Sequence, residues 1–385
     1  MIAEGKIAID LDCNPASGEL NVCIHSNRQT NIGKVLSGRT PDEALALLPL
    51  IFSVCGKAHL CVASSVFRSF GFDTGIAETP GQLVVLAENA REHLLRVILG
   101  WSGDNPDAIK QLQVKQIMAL VADMGVSAAG MTDEGCDAKA VLDIATVLDG
   151  ILNSKIFSCE AEQWLQMENL TDLENWIQST DTIASCYLGN ICENNWQSVG
   201  AADVDFLPEL SVSKLREKLH GNEADRYVAQ PYWLGKTFET GSLSRWHKHP
   251  LVASIINEYG TGLLARNIAR LIELAGIPLA MKVLVDRYGE ANSFADKPEP
   301  VQDSIVGIKS VETARGRLVH SLKMQGNVIA EYRILAPTEW NFHPCGSAAK
   351  GLQGLDCDSD DDLKLRAHML VEAIDPCVDF EVRIS

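Results

Sequence analysis

Two cysteines in this sequence stand in settings that could bind a metal ion. The stretch "IFSVCGKAH", residues 51–59, places the thiol of Cys55 four residues before the imidazole of His59. At that spacing on a helix the two side chains share one face. Near the end of the chain, "IDPCVDFEVRIS" carries Cys377 directly after a proline, which fixes the backbone there. Because thiolates and imidazoles bind transition metals, both stretches are candidates for one metal site.

Each of these residues also has a simpler explanation. Cys55 could be an ordinary buried cysteine and His59 a hydrogen-bonded core histidine, while Cys377 could lie in a loop near the chain end. A hydrolase that uses a thiol and an imidazole would also need a positioned acid and an oxyanion hole. Nothing in the sequence specifies those groups. From these residues alone, the structural explanation is the more common one for each stretch, and a metal site stays open as the alternative.

Composition excludes several classes of protein. The eleven cysteines form no C-x-x-C pair, so neither a tetrathiolate zinc site nor an iron–sulfur site is expected. A disulfide framework would be unusual, and most cysteines are predicted to be small buried apolar residues. The net charge of −18 argues against nucleic-acid or anionic membrane surfaces but permits a basic protein partner. No apolar run reaches the ~20 residues of a membrane span, and the start lacks a signal-peptide pattern, so we expect a cytoplasmic protein.

The elements that must position these cysteines are predicted to be strands near both ends and helices between them. Alternating apolar residues indicate a β-hairpin over roughly residues 6–26. Thr40, Pro41 and Glu43 form a helix start signal. From about residue 83 to 290, apolar residues recur every three or four positions, which indicates a helical bundle.

The C-terminal part returns to strands. "GRLVHSLKM" and "NVIAEYRIL" flank "QGN", which predicts a second hairpin, and "LKLRAHMLVEAI" predicts a helix that leads into Asp-Pro-Cys. The segment from Glu339 to Pro344 is expected to be a packed loop. We therefore predict an α+β fold in a single domain, residues 1–385. It comprises an N-terminal strand region (1–50), a central helical bundle (51–300) and a C-terminal strand and loop region that carries the Asp-Pro-Cys motif (301–385).

Read together, these segments resemble the large subunit of nickel–iron hydrogenases. "LIFSVCGKAH" is similar to the family motif R-x-C-G-x-C-x-x-x-H, and "DPCVDFEVR" is similar to D-P-C-x-x-C-x-x-H. Between them, "GIAETPGQLVVLAENAREHLLRVILG", "ETGSLSR", "ETARGRLVH" and "APTEWNF" resemble further family segments in the same order. The resemblance covers almost the whole chain and implies a trimmed hydrogenase large-subunit fold.

Two of the four family thiolates are replaced. In the family, the first cysteine of each motif is a terminal nickel ligand and the second bridges nickel and iron. Here Phe52 takes the first position and Phe380 the last, Cys55 and Cys377 remain, and Arg383 replaces the closing histidine. Because nickel selection depends on soft sulfur ligands, we expect neither bound nickel nor hydrogen turnover. We also expect both phenylalanine rings to fill part of the nickel volume.

This combination resembles the HupK/HoxV family of hydrogenase accessory proteins. The resemblance implies a scaffold, not an enzyme, that transiently holds an iron fragment with cyanide and carbonyl ligands, Fe(CN)2CO. Cys55 and Cys377 would bind the iron, and His59 would orient a thiolate. Arg315 and Thr338 would donate hydrogen bonds to cyanide nitrogens. The implied partners are a HypC-type chaperone and HypD, which would supply the fragment, and the hydrogenase large-subunit precursor, which would receive it.

Two other functions stay open. The chain could be a divergent redox enzyme with an unusual iron centre, in which case its metal content would differ from one iron without nickel. It could instead be a metal-free mimic of the large subunit that recruits maturation proteins. Cyanide and carbonyl bands in an infrared spectrum would separate a carrier from such a mimic.

Overall fold

A computed structural model gives the fold of the chain. It describes residues 5–13, 19–30, 32–101, 115–116, 118–119, 122–123, 138–291, 306–356 and 359–384. The described part mixes helices and strands, with a helical bundle in the middle and strands near both ends, and this confirms the predicted α+β class.

A three-stranded sheet joins the two ends of the chain. The strand β1 (Lys6–Cys13) pairs antiparallel with β2 (Leu20–Ser26), as the hairpin prediction required. The C-terminal strand β8 (Asp379–Ile384) pairs parallel with β1 on its other edge. Apolar residues alternate along β1, so one face of the strand packs into the main core. This sheet places the residues just before β8, including Cys377, beside the N-terminal strands.

A second sheet is antiparallel, in the order β5 (Val306–Thr313), β6 (Gly316–Gln325) and β7 (Val328–Leu335). The predicted hairpin is therefore β6–β7. The β5–β6 turn carries Arg315 and ends at Gly316, whose φ of 129° favours glycine. A Cβ at Gly316 would lie 2.5 Å from a side-chain carbon of Thr240, so this turn requires glycine.

The helices surround one long central helix, α13 (Leu263–Ala291), which packs against the helices that precede it. Short π-helical turns extend two helices, at Arg96–Gly100 and Leu152–Phe157. Between residues 194 and 241, two strands of two residues each, β3 (Asp205–Phe206) and β4 (Phe238–Glu239), pair in parallel. The remaining helices are α1 (Gly33–Leu36), α2 (Pro41–Ile51), α3 (Gly56–Arg68), α4 (Glu78–Leu95), α5 (Ala138–Ile151), α6 (Ala161–Trp164), α7 (Leu170–Ser179), α8 (Ile183–Glu193), α9 (Val212–His220), α10 (Ala224–Ala229), α11 (Ser242–Trp246), α12 (Pro250–Tyr259), α14 (Pro337–Asn341), α15 (Ser347–Gln353) and α16 (Asp360–Ile374).

Local sequence signals explain several of these boundaries. Thr40 and Glu43 form the predicted capping box at the start of α2, with Pro41 in the first turn. One prediction was wrong in part: the segment 339–344 was expected to be a loop, but its first three residues belong to the short helix α14, which begins at Pro337, and only residues 342–344 are irregular. Pro337 pre-sets the backbone for that turn. Within the described residues, no helix is long and apolar enough to cross a membrane.

The burial of the cysteines also differs from the prediction. Among the free cysteines that the structure describes, the two buried ones are Cys55 and Cys61. Three are partly buried, namely Cys159, Cys192 and Cys377, and three are exposed, namely Cys23, Cys186 and Cys345. The exposed residues lie on faces that the sheets and helices leave open to solvent. Cys13 forms a disulfide. The prediction that most cysteines are buried is therefore not met by the free cysteines that the structure describes.

Candidate functional site

Cys55 and Cys377 line one cavity of about 50 Å³. That volume exceeds the ~10–15 Å³ that a single water requires. The cavity lies where the start of α3, the residues before β8 and the loop after β2 meet. Among its other lining residues are Arg28, Phe52, His59 and Glu339. The fold thus brings together two cysteines from opposite ends of the sequence, as one site required.

The position of Cys55 is set by α4. Cys55 is the residue immediately before α3, and the carboxylate of Glu88 accepts hydrogen bonds from the backbone N–H groups of Lys57 (3.0 Å) and Ala58 (2.8 Å). Arg91 donates to the carbonyl oxygen of Val54 at 2.7 Å. An acid at the start of a helix satisfies N–H groups that have no partner in the helix. These contacts hold the Cys55 backbone from both sides.

The Cys55 thiol lies in apolar surroundings beside one cation. Burial raises the pKa of this thiol far above its ordinary value, while the guanidinium of Arg315 opposes the shift. The Nη1 atom of Arg315 lies 3.7 Å from the sulfur. Cys55 is therefore protonated when no metal is bound, and a metal ion must displace that proton.

The Cys377 thiol accepts two hydrogen bonds. Arg28 donates through Nη1 at 2.8 Å and Thr338 through its hydroxyl at 3.2 Å. The backbone N–H of Cys377 in turn donates to the Thr338 hydroxyl at 3.4 Å. Hydrogen bonds from a charged donor are stronger than neutral ones. This sulfur is therefore held in a fixed direction between a cation and a hydroxyl.

Asp375 fixes the turn that precedes Cys377. It follows α16 in a left-handed conformation, with φ at 64°, and its carboxylate accepts hydrogen bonds from Arg96 and Arg315. Burial opposes its charge, but the guanidinium groups of Arg315, Arg96 and Arg270 outweigh burial and lower the pKa of Asp375 well below its usual range. The same Arg315 thus contacts both cysteine-bearing segments.

His59 lies in a chain of buried aromatic groups. Its ring stacks on Phe52, with centroids 3.5 Å apart, and its Nδ1 lies 2.9 Å from Nε2 of His320. Nδ1 of His320 lies 2.7 Å from the hydroxyl of Tyr332. Burial lowers the pKa of His59 well below its ordinary value and that of His320 to about 3. Both imidazoles are therefore neutral, so their rings can be joined by a single hydrogen bond.

The predicted cyanide donors, Arg315 and Thr338, contact the two sulfurs. Neither Arg315 nor Thr338 is among the residues that line the cavity. Arg315 binds Glu92 through Nη1 (2.9 Å) and Asp375 through Nη2 (3.4 Å), while its Nε is buried without a partner. Each residue contacts one of the two thiols, and the structure thus places both at the site without placing either at the cavity wall.

The two replacing phenylalanines have different surroundings. Phe52 lines the cavity, as predicted. Phe380 lies in β8 opposite Ile7, and its ring packs 5.2 Å from that of His368. The prediction that Phe380 fills the nickel volume was therefore wrong, because strand pairing turns this ring toward α16. Arg383 is more than half exposed and pairs with Glu381 on the sheet surface.

Sequence reasoning missed four residues at the site. His320 and Glu339 lie inside the segments "ETARGRLVH" and "APTEWNF", and Glu88 lies inside the matched helix, so the same segments could have supplied them. Arg28 stands in "HSNRQTN", which matches no motif, and only the fold places it at Cys377. Within the described residues, no group of three or more His, Cys, Asp or Glu side chains could hold a metal ion. The cavity offers two thiols.

Comparison with known families agrees with this geometry. The family model described as nickel-dependent hydrogenase matches residues 166–380, more than half of the chain. The chain belongs to the nickel-dependent hydrogenase family. Its matched segment ends at Phe380.

Several similar curated proteins are described as hydrogenase expression/formation proteins. The hydrogenase expression/formation protein HoxV of Cupriavidus necator is 29% identical over 91% of this chain and 90% of its own length. The hydrogenase expression/formation protein HupK of Rhizobium leguminosarum bv. viciae is 26% identical over 100% of this chain and 98% of its own. These matches confirm the resemblance to HupK and HoxV. The fold also matches a Ni-Fe-Se hydrogenase from D. vulgaris Hildenborough, with a TM-score of 0.62, 15% identity and 94% coverage of both chains.

Proposed function

We propose that this protein is a non-catalytic carrier in hydrogenase maturation. It would hold the Fe(CN)2CO fragment between the HypC–HypD complex and the precursor of the hydrogenase large subunit. The observation that carries the proposal is the cavity, in which Cys55 and Cys377 meet while Phe52 occupies a third ligand position. The relatives described as expression/formation proteins support a role in maturation.

Two thiolates suit a transient iron cargo. An iron that carries its own cyanide and carbonyl ligands needs only a few donors from the protein, and Cys55 and Cys377 supply two soft ones. A site with fewer protein bonds than the final enzyme centre releases its metal more readily. His59 would orient the Cys55 side of the site. Arg315 and Thr338 would stabilise the two sulfurs through the contacts that they already make, rather than donate to cyanide nitrogens as the resemblance implies.

Nickel is not expected in this site. Phe52 stacks on His59 and has no donor atom, and Phe380 lies away from the cavity. Burying a divalent ion without anionic ligands is strongly unfavourable. Both remaining thiolates would already bind iron, so anaerobic loading with excess nickel should leave no tightly held nickel on the wild-type chain.

The test is an infrared spectrum of protein purified anaerobically from cells that express the maturation proteins. We expect cyanide and carbonyl bands with about one iron and no nickel per chain. Cys55→Ala and Cys377→Ala should each abolish the bands while leaving the fold intact, at a stability cost of about 1 kcal/mol. Cys23→Ala, at an exposed cysteine of β2, is the matched control and should load normally.

Other outcomes would identify the alternative functions. A wild-type protein without cyanide or carbonyl bands, but with retained maturation partners, would favour the metal-free mimic. One firmly bound nickel per chain would favour a divergent redox enzyme. Normal loading of the Cys55→Ala, Cys377→Ala double variant would show that the assigned ligands are wrong.

A further inference from the structure

Each thiol of the site has its own guanidinium. Arg315 lies at Cys55, with 3.7 Å between nitrogen and sulfur, and Arg28 lies at Cys377, with 2.8 Å. The two arginines come from separate elements, the β5–β6 turn and the loop after β2. Since family motifs account only for Arg315, the role of Arg28 has to be derived from its contacts.

Arg28 faces the cavity and has unused hydrogen-bonding capacity. It lines the cavity together with Glu339, and its Nε lies 3.3 Å from a carboxylate oxygen of that residue. Nε of Arg28 is buried without a hydrogen-bond partner, so this contact is an ion pair only. Buried polar groups without partners are unfavourable. Arg28 also donates through Nη1 to the Cys377 sulfur, so its guanidinium lies where a ligand bound to that sulfur would meet it.

The other predicted donors are already engaged. Arg315 shares its charge with Glu92 and Asp375 and does not line the cavity. The Thr338 hydroxyl is directed at the Cys377 sulfur. Arg28 has one carboxylate partner, Glu339. Of these three residues, Arg28 alone both lines the cavity and contacts a thiol.

The charge of the proposed cargo requires such a cation. Iron(II) with two cyanides is neutral, so attachment to two thiolates gives a net charge of −2. An uncompensated charge in a buried site is strongly unfavourable unless cations and hydrogen-bond donors face it. A planar guanidinium can donate to the sulfur and to a neighbouring anionic nitrogen at the same time, because its donors form a fixed fork.

We propose, on the basis of the carrier function above, that Arg28 binds the cargo directly. Its guanidinium, which already donates to the Cys377 sulfur, would donate to a cyanide nitrogen of the fragment. The cavity would then recognise the fragment by an anionic cyanide at Arg28, beside apolar lining residues such as Phe52 and Leu318.

The experiment compares infrared spectra and iron content of anaerobically loaded wild type, Arg28→Met, Arg28→Lys and Arg333→Met. Arg333→Met is a matched control, because Arg333 also pairs with a carboxylate, Asp225, and has a buried Nε without a partner, but does not line the cavity. We expect Arg28→Met to hold iron about tenfold more weakly, the effect of losing one charged hydrogen bond. In the protein that remains loaded, the cyanide bands should shift.

The outcomes separate the two proposals. Arg28→Lys keeps the charge and should retain more iron than Arg28→Met, with an intermediate band position. Circular dichroism identifies any variant that fails to fold. If Arg28→Met does not fold, the iron content and bands of Arg28→Lys decide whether Arg28 binds the fragment. Wild-type bands that are unchanged in a folded Arg28→Met variant would overturn the role of Arg28 but leave the carrier function intact. Absence of bands from the wild type would overturn both.

Discussion

His59 and His320 form a buried imidazole pair beside the cavity, and their shared hydrogen bond needs at least one unprotonated ring. Burial holds the pKa of both residues below the ordinary value for histidine. In an unfolded chain these histidines would titrate near pH ~6.5. The unfolded state therefore binds more protons than the folded state at mildly acidic pH, and folding stability depends on pH there.

The sign of that dependence gives a prediction. The contribution of His320 to stability should be complete above pH ~6.5 and should fall as the pH decreases toward about 3, the pKa of the folded state. At ~1.4 kcal/mol per pKa unit, the loss over that window is at most roughly 5 kcal/mol. Urea unfolding at pH values between 4 and 7 should therefore give a smaller slope of free energy against pH for His320→Gln than for wild type.

His25 provides the control for this measurement. It lies on β2 with its side chain mostly exposed, so His25→Gln should leave the slope unchanged. A wild-type slope in the His320→Gln variant would show that this imidazole does not control the acid response.

The candidate ligands were predictable from the sequence because they keep a recognisable spacing to their neighbours. Cys55 stands four residues before His59, and Cys377 follows Asp-Pro. Arg28 was not predictable, since its contact with Cys377 joins residues 349 positions apart and no local pattern marks it. The prediction for the Phe380 ring was wrong for a related reason. Its side-chain direction depends on a strand pairing with β1, and that pairing has no local signal either.

At the level of elements, the start of α3 and the end of α16 hold the two cysteines, and both are fixed by buried charges from other elements. Glu88 of α4 binds the first N–H groups of α3, and Asp375 after α16 binds Arg96 and Arg315. Helices and hairpins were predicted well because their apolar periods and turn residues are local. The charged contacts between them were not, because only the packed fold brings them together.

The Glu88 contact gives a prediction about this element. Glu88→Ala should lower the free energy of unfolding by about 2 kcal/mol, because the buried backbone N–H of Ala58 loses its acceptor and the start of α3 loses a negative charge. Iron loading should fall with it, since the Cys55 backbone is then less well fixed. Chemical denaturation and iron analysis measure the two effects.

Glu193→Ala, at the exposed end of α8, removes a carboxylate of the same type without touching the site. It should change the unfolding free energy by less than about 0.5 kcal/mol. Equal effects from the two substitutions would show that Glu88 has no special role in holding α3.

At the scale of the whole molecule, the two ends of the chain lie side by side, and this arrangement would affect how an iron fragment reaches the site. The sheet β2–β1–β8 ties the N-terminal strands to the segment that carries Cys377, while α3 brings Cys55 from the neighbouring core cluster. The cavity therefore lies at the junction of the two parts. Cys55 is buried and Cys377 is half-buried. Under the proposed carrier function, a cargo bound to both would have only a restricted route to solvent, and its delivery from another protein would require direct contact near this junction.

That requirement gives the last prediction, which rests on the proposed carrier function. An anaerobic pull-down with the empty wild-type protein should retain a HypC-type chaperone, and HypD with it, because a donor must dock at the cavity to hand over its fragment. The resemblance to hydrogenase large subunits places the first-motif cysteine near that chaperone. Because Cys55 is buried and offers no surface to a partner, Cys55→Ala should leave docking in place while it abolishes loading with iron. Cys23→Ala, on the exposed edge of β2, should retain the chaperone as wild type does. Failure of both loaded and empty wild-type protein to retain either partner would contradict the direct transfer that a carrier of this design requires.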